Sequence, residues 1–312
     1  MLKTTPIFLF FLFLAVFYNN ITAGGTNKAK TEKKEADNTG TEKTEADTET
    51  EKIGNFSLPE SQQPFPLTFF SGNIIAKGKI QFFLFADAIT GRKYYKSDIV
   101  PGFLYGITNS FSVFLNVPIA PKNKDHFHKS SGLEDIFIQL EYAFYSKAKK
   151  DSSTQATIVG NIAFPTGSFT KNPRTGFGSI NFLTGLSLTH TTFYWIYAAD
   201  LGLVLTTKHK NFKVGNQLIY QAAIGRNLYT PPGWIIATFA EFAGVYSWKD
   251  IVNNRKDPNS GGNIFSILPS FWISSEHLVL QFGIGLPITQ HLFGKQPKPR
   301  ISYNVKFGWT FE

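Results

Sequence analysis

The chain has no cysteine and one methionine in 312 residues. Without thiols there is no disulfide framework, thiolate metal site, cysteine nucleophile or lipid-modified cysteine anchor. No G-x-S-x-G element is present, and no basic groove with interleaved aromatics recurs, so nucleic acid is not an expected partner. No apolar run is long enough for a spanning helix. Ile7–Tyr18 falls short of the roughly 20 residues required. Gly233–Trp248 as a helix would bury Glu241 at its centre, at a cost of about 2.5–3.5 kcal/mol.

What is abundant is phenylalanine, with 32 residues, which suits strands better than helices. The amino terminus has one cation, Lys3, then the apolar run, then Ile21-Thr22-Ala23 with a small residue at a cleavage position. That order predicts a secretory signal peptide over 1–23. TEKKEADNTG followed by TEKTEADTET is an imperfect ten-residue repeat with almost nothing apolar. It predicts a disordered low-complexity tail over 24–58 and a barrel over 59–312. Within the transition, Ile53–Ile75 is broken by Gly and Pro and has no clear period.

From Ala76 onward, segments of about ten residues alternate apolar with polar or small side chains between turn signals. The expected strands are 76–88, 97–107, 111–120, 132–146, 155–164, 176–190, 193–206, 213–228, 234–248, 263–274, 278–288 and 300–311, twelve in all. Short links such as Thr108-Asn109-Ser110 and Ser275-Glu276-His277 alternate with long ones such as KDIVNNRKDPNSGG, with the charged stretch Lys147–Thr154 as an exception. The pattern predicts an all-β fold, a transmembrane antiparallel up-and-down β-barrel in the cell outer membrane.

Each strand has an apolar face, and Leu278, Leu280, Phe282, Ile284 and Leu286 form one of them. The opposite faces supply sixteen lumen candidates: Lys79, Gln81, Asp87, Asn116, Asp135, Gln139, Glu141, Asn161, Asn181, Asp200, Gln217, Gln221, Glu241, Gln281, Asn304 and Lys306. Their charges lean acidic, which would favour cations or neutral solutes in an open pore. Phe83, Phe85, Phe114 and Phe137 fall on the same side, where they either line an apolar path or pack a plug formed by Ile53–Ile75. Trp195, Trp234, Trp248, Trp272 and Trp309 lie near strand ends and are expected in an interfacial girdle. In the last strand Val305, Phe307, Trp309 and Phe311 would face lipid while the strand closes against the first. Such a terminus resembles the signal that outer-membrane barrels present to their assembly machinery, except that Glu312 follows the final aromatic.

Three stretches carry a family resemblance: GITNSFSVFLNVPIA, GLEDIFIQLEYAFY and FPTGSFTKNPRTGFGSINF. They resemble the outer-membrane proteins of the phenol meta-cleavage pathway. The resemblance implies an outer-membrane barrel that passes hydrophobic or aromatic compounds. In its most marked stretch Pro165, Thr166 and Gly167 end a strand, and Gly176 and Gly178 allow close approach before the next.

Cations gather in the expected outer loops (Lys171, Arg174, Lys208, Lys210, Lys213, Arg255 and Lys256 among them), where lipopolysaccharide phosphates would meet them. Asp125-His126-Phe127-His128 has the only metal-like spacing but too few ligands, so neither a metal nor a cofactor is expected. Ser187 with His190, and His209 and His291, are the only residues that invite comparison with a lipase or phospholipase, and catalysis is not expected. The reading is therefore a channel or transporter-like barrel for small hydrophobic or aromatic solutes. The rivals are a structural or surface-interaction barrel with a plugged lumen, an outer-membrane lipase, and a secreted soluble β-sandwich.

Overall fold

The computed structural model describes residues 53–311 except residue 126. The expected signal peptide, the tail up to residue 52, His126 and Glu312 lie outside the described residues. The strands run in order as β1 (Ile80–Gly91), β2 (Tyr94–Thr108), β3 (Phe111–Asn116), β4 (Ile119–Lys124), β5 (Lys129–Leu133), β6 (Phe137–Ala148), β7 (Ser152–Ala163), β8 (Asn181–Thr192) and β9 (Trp195–Thr206). There follow β10 (Phe212–Lys213), β11 (Gln217–Tyr229), β12 (Trp234–Ser247), β13 (Ile251–Val252), β14 (Arg255–Lys256), β15 (Gly262–Ser275), β16 (Leu278–Leu292) and β17 (Pro299–Phe311). All but β10, β13 and β14 belong to one antiparallel sheet.

β3 and β4 both pair with β2, and Val117-Pro118 separates them, since Pro cannot continue a ladder. β6 and β5 face them in turn, so each pair is one interrupted strand and the wall has twelve. β1 pairs with β2 on one side and with β17 on the other, from Ile80 opposite Phe311 to Gly91 opposite Pro299. The sheet closes without an edge. Strands of 12–15 residues exceed the roughly 9–11 tilted residues that cross a bilayer.

The faces sort as the alternation requires. Ile138, Leu140 and Tyr142 in β6, Leu280, Phe282, Ile284, Leu286 and Ile288 in β16, and Val305, Trp309 and Phe311 in β17 are exposed on the outside. Gln139, Glu141, Gln281, Lys306 and Thr310, their neighbours in sequence, are buried inside. Soluble monomers rarely expose a contiguous apolar patch beyond a few hundred Å². A belt running round every strand is a lipid-facing surface, which removes the soluble sandwich. Arg226 lies among the outward residues at the short-turn end, its guanidinium 5.2 Å from the Trp195 ring centre, where such a cation reaches the interface.

Several boundaries differ from the sequence expectation for identifiable reasons. Lys147–Thr154 is not a loop: β6 runs to Ala148, and Lys149 N–H donates to Ser152 O (2.7 Å) across a tight turn. Charge hid strand residues that project beyond the bilayer. The expected long loop after Ala120 is largely the β4–β5 hairpin. Residues 176–180, expected in the sixth strand, belong to the loop before β8. Trp272 is not in the girdle. It is 2 % exposed, packs inside against Ile196, Ala237, Phe239 and Val279, and donates Nε1–H to Ser274 Oγ (2.9 Å).

Candidate functional site

Residues 53–79 contribute nothing to the wall. They enter at the short-turn end, where Asn55 N–H donates to Phe193 O (2.8 Å), and they return there, where Gly78 N–H donates to Gly106 O (2.8 Å). Between these points the segment loops into the lumen, with two single 3-10 turns, Gly54–Phe56 and Glu60–Gln62, and no strand. Ile53–Leu58, placed in the tail on composition, is part of this packed segment, with Asn55 fully buried.

An irregular backbone inside a barrel must find hydrogen-bond partners, because a buried orphan N–H or C=O costs about 1–3 kcal/mol. The inward polar side chains are those partners. Glu241 accepts from Leu67 N–H and Thr68 N–H, both at 2.9 Å, from Thr68 Oγ1 at 2.7 Å, and from Ser270 Oγ. Glu141 accepts from Asn73 N–H (3.0 Å), Asn73 Nδ2 (2.5 Å) and Gln139 Nε2 (2.6 Å). In the other direction, Gln139 Nε2 donates to Phe70 O (2.7 Å), Gln221 Nε2 to Thr68 O (2.7 Å), Gln281 Nε2 to Phe65 O (2.9 Å) and Ser274 Oγ to Gln62 O (2.7 Å). Asp200 is fully buried beside Ser71 and Ser187, whose hydroxyls are bonded at 2.8 Å.

The sixteen lumen candidates therefore separate into groups. Gln139, Glu141, Gln221, Glu241 and Gln281 hold the segment. Gln81 and Asp200 are buried beneath it. Asp87, Asn116, Asn161, Asn304 and Lys306 border a cavity of about 420 Å³ on the long-loop side, where Asn304 Nδ2 donates to Asp87 Oδ1 (2.8 Å). Asn181 bonds Ser179 O and Thr207 N–H near the rim, and Gln217 is half-buried at the start of β11. Lys79 is exposed ahead of β1, outside the wall. Of the acidic groups only Asp87 borders the cavity: Glu141 and Glu241 are bonded to the segment, Asp135 to a loop, and Asp200 is fully buried.

Asp135 explains the motif that carried the family resemblance. Its Oδ1 accepts from Gly167 N–H (2.9 Å) and its Oδ2 from Phe177 N–H (2.8 Å). Thr166 Oγ1 donates to Glu134 O and accepts from Ile136 N–H, both at 2.8 Å. A Cβ on Gly167 would lie 2.5 Å from Thr175 O, and one on Gly176 would lie 2.4 Å from Asp135 Oδ1. Both glycines are required by close approach, and Gly178 by its positive φ of 73°. Pro165, Thr166, Gly167, Gly176 and Gly178 thus belong to a clasp that fixes the 164–180 loop. Beyond it Arg174 lies over Phe169 and Phe212, at 4.1 and 3.9 Å from the ring centres. β10, β13 and β14 join two further outer loops, with Asn253 and Asn254, both at positive φ, turning the β13–β14 hairpin.

The hydrolase candidates do not assemble. Ser187 points inward and His190 outward on β8, so the two cannot meet. His190 Nδ1 lies 2.8 Å from Thr154 Oγ1, and the His209 ring packs on Phe169 at 4.6 Å. His291, exposed near the outer end of β16, makes no hydrogen bond to a serine. Asp125 Oδ1 accepts from Phe127 and His128 N–H as a local turn, and among the described residues no three metal-ligand types gather. The lumen serines Ser112, Ser270 and Ser274 escape the sequence reading, and Ser187 enters it only as a hydrolase candidate. Their inward parity could have shown them.

No protein-family model matches the sequence, and no curated protein matches it. Among solved structures the chain is similar to an outer membrane channel from Pseudomonas putida, with a TM-score of 0.61 and 12 % identity, over 80 % of this chain and 100 % of that one. A NanC porin gives 0.46 at 8 % identity over 73 % of this chain and 98 % of that one, and LpxR from Salmonella typhimurium gives 0.40 at 9 % over 73 % and 100 %. The first likeness establishes the fold as that of an outer-membrane β-barrel.

Proposed function

We propose that the protein is an outer-membrane channel for small hydrophobic or aromatic solutes, with its passage narrowed by its own resident segment. The observation that carries this reading is the division of the lumen. The segment crosses at mid-height and leaves a cavity of about 420 Å³ on the long-loop side and a cleft of about 80 Å³ on the short-turn side, and Lys306 borders both. A wall-only barrel has no use for a hollow lined by Phe69, Phe85, Phe114 and Phe137. The likeness to a channel supports the same reading, as does the resemblance to the phenol meta-pathway proteins, a narrower kinship that we propose on the clasp motif.

Planar-bilayer conductance of the refolded chain tests it. Small, brief openings are expected from the full chain and larger ones from Glu141→Gln/Glu241→Gln, which weakens the segment's anchorage. Silence from both would favour a structural barrel. Outer-leaflet lipid is the proposed partner at the rim. There Lys213, Lys249 and Lys256 surround a cleft of about 370 Å³ with Tyr246, Trp248 and Phe293, pairing cations for phosphate with aromatics for the interface. Replacing the three lysines by Gln should reduce lipopolysaccharide retained on the purified protein, and unchanged retention would remove this partner.

A further inference from the structure

The lumen holds two kinds of buried charge. Glu141 and Glu241 are surrounded by donors. Lys306 has rings as its nearest company: its Nζ lies 4.6 Å from the centre of Phe83, 5.5 Å from Phe85 and 6.0 Å from Trp272, while Glu141 and Glu241 attract it from beyond ion-pair distance and are bonded elsewhere. The residue is 8 % exposed and, among the described residues, makes neither an ion pair nor a hydrogen bond. An ammonium has three donors, and leaving them unused out of water is costly unless something else takes them. Asn116, 1 % exposed, borders the same cavity with its Nδ2 also without a partner. Two unused donors and a wall of phenylalanines thus face one hollow, in which the one bordering carboxylate, Asp87, is bonded by Asn304, and whose volume falls within the roughly 300–1,000 Å³ of small-molecule sites.

We infer that this cavity binds a small aromatic carboxylate, with the carboxylate on Lys306 and the ring among Phe85, Phe114 and Phe137. A neutral arene would leave the ammonium unsatisfied, and a cation would be repelled by it. An aliphatic acid would forgo the aromatic wall. A phosphate, more heavily hydrated, would want the fork of an arginine, and no arginine borders the cavity. The inference rests on the solute-channel reading and narrows its solute. It also accounts for an inward cation on a strand whose other inward neighbours, Asn304, Gly308 and Thr310, are uncharged.

Isothermal titration of the refolded full chain with benzoate, benzyl alcohol and acetate tests it. Benzoate should bind about tenfold or more tightly than either of the others, the scale of one charge-assisted hydrogen bond. Lys306→Met should lower benzoate to the level of benzyl alcohol and leave benzyl alcohol unchanged, and Asn116→Leu should weaken benzoate less. Heat-modifiable gel mobility reports that the variants are folded. If they are not, the three ligands on the unaltered chain decide. Equal binding of benzoate and benzyl alcohol, or benzoate binding untouched by Lys306→Met, overturns the proposal. Conductance of the same preparations separates the two readings. Benzoate binding by a silent barrel sinks the channel and keeps the site, whereas conductance without a preference for benzoate does the reverse.

Discussion

The two halves of the lumen are built by the same alternation and are occupied differently. Toward the short turns, the 53–79 segment and the wall exchange hydrogen bonds, with wall amides on Phe65, Thr68 and Phe70 carbonyls and segment amides on Glu141 and Glu241. Toward the long loops, the same face leaves a hollow in which Asn116 Nδ2 and Lys306 Nζ have no such partner. An inward polar face is a supply of donors and acceptors. Whether it meets water, a ligand or the chain itself depends on a segment that the wall pattern does not encode.

The filled half should break first at Glu241. Glu241→Ala removes the acceptor for Leu67 N–H, Thr68 N–H and two hydroxyls at once. A loss of about 3–5 kcal/mol in urea unfolding is expected, since orphaned buried donors cost roughly 1–3 kcal/mol each and do not add fully. The segment should then be cut by protease while the wall persists, so the comparison would shift toward two hollow halves. An unchanged midpoint with an intact segment would mean that Glu241 is not its anchor.

The clasp over the hollow half comes next. Asp135→Ala leaves Gly167 and Phe177 N–H without their carboxylate, at about 1–3 kcal/mol. Faster tryptic cleavage at Lys171 or Arg174 is the expected readout, with the filled half unaffected. A smaller effect on stability, within about 1 kcal/mol, is expected from Leu183→Trp, which puts bulk into space already empty. It should nevertheless abolish solute binding in the cavity. Retained binding would show that the solute lies elsewhere.

Most of the wall was legible in the sequence because period-2 alternation is a local signal with one meaning inside a barrel. The twelve strands, the closing pair and the lipid-facing Val305, Trp309 and Phe311 all follow from it. Errors arose where a residue type stood in for a position. Lys147, Ala148 and Ser152–Thr154 read as linker although they continue strands past the membrane, and Trp272 read as girdle although its parity turns it inward. The anchoring of 53–79 was hidden for another reason. Its hydrogen bonds link residues as far apart as Gln62 and Ser274, and an aperiodic segment carries no local sign of what it will meet. Asp135 was singled out, but its partner loop lies more than thirty residues away in sequence, so a clasp read as a pore residue.

The weakest expected effect concerns the outer loops and depends on pH. Asp250 accepts from Gly215 N–H (2.8 Å) and so ties the loop before β11 to the loop after β12. Burial raises its pKa from the ordinary 3.8, with Asp257 pushing the same way and the Gly215 amide and Arg174 opposing. A carboxyl raised in the folded state holds more protons folded than unfolded, so its contribution is greatest in acid and declines as pH climbs from 3.8 through the raised value. Amide exchange at Gly215 and in β10 should therefore show more protection, after correction for intrinsic rate, on the acid side of that window than above it. Asp250→Asn, which keeps an acceptor and removes the titration, should flatten the profile. Because this platform lies beyond the membrane, the hollow half beneath it should keep its ligand affinity across the same range. Parallel changes in both would mean that the roof and the cavity move as one body.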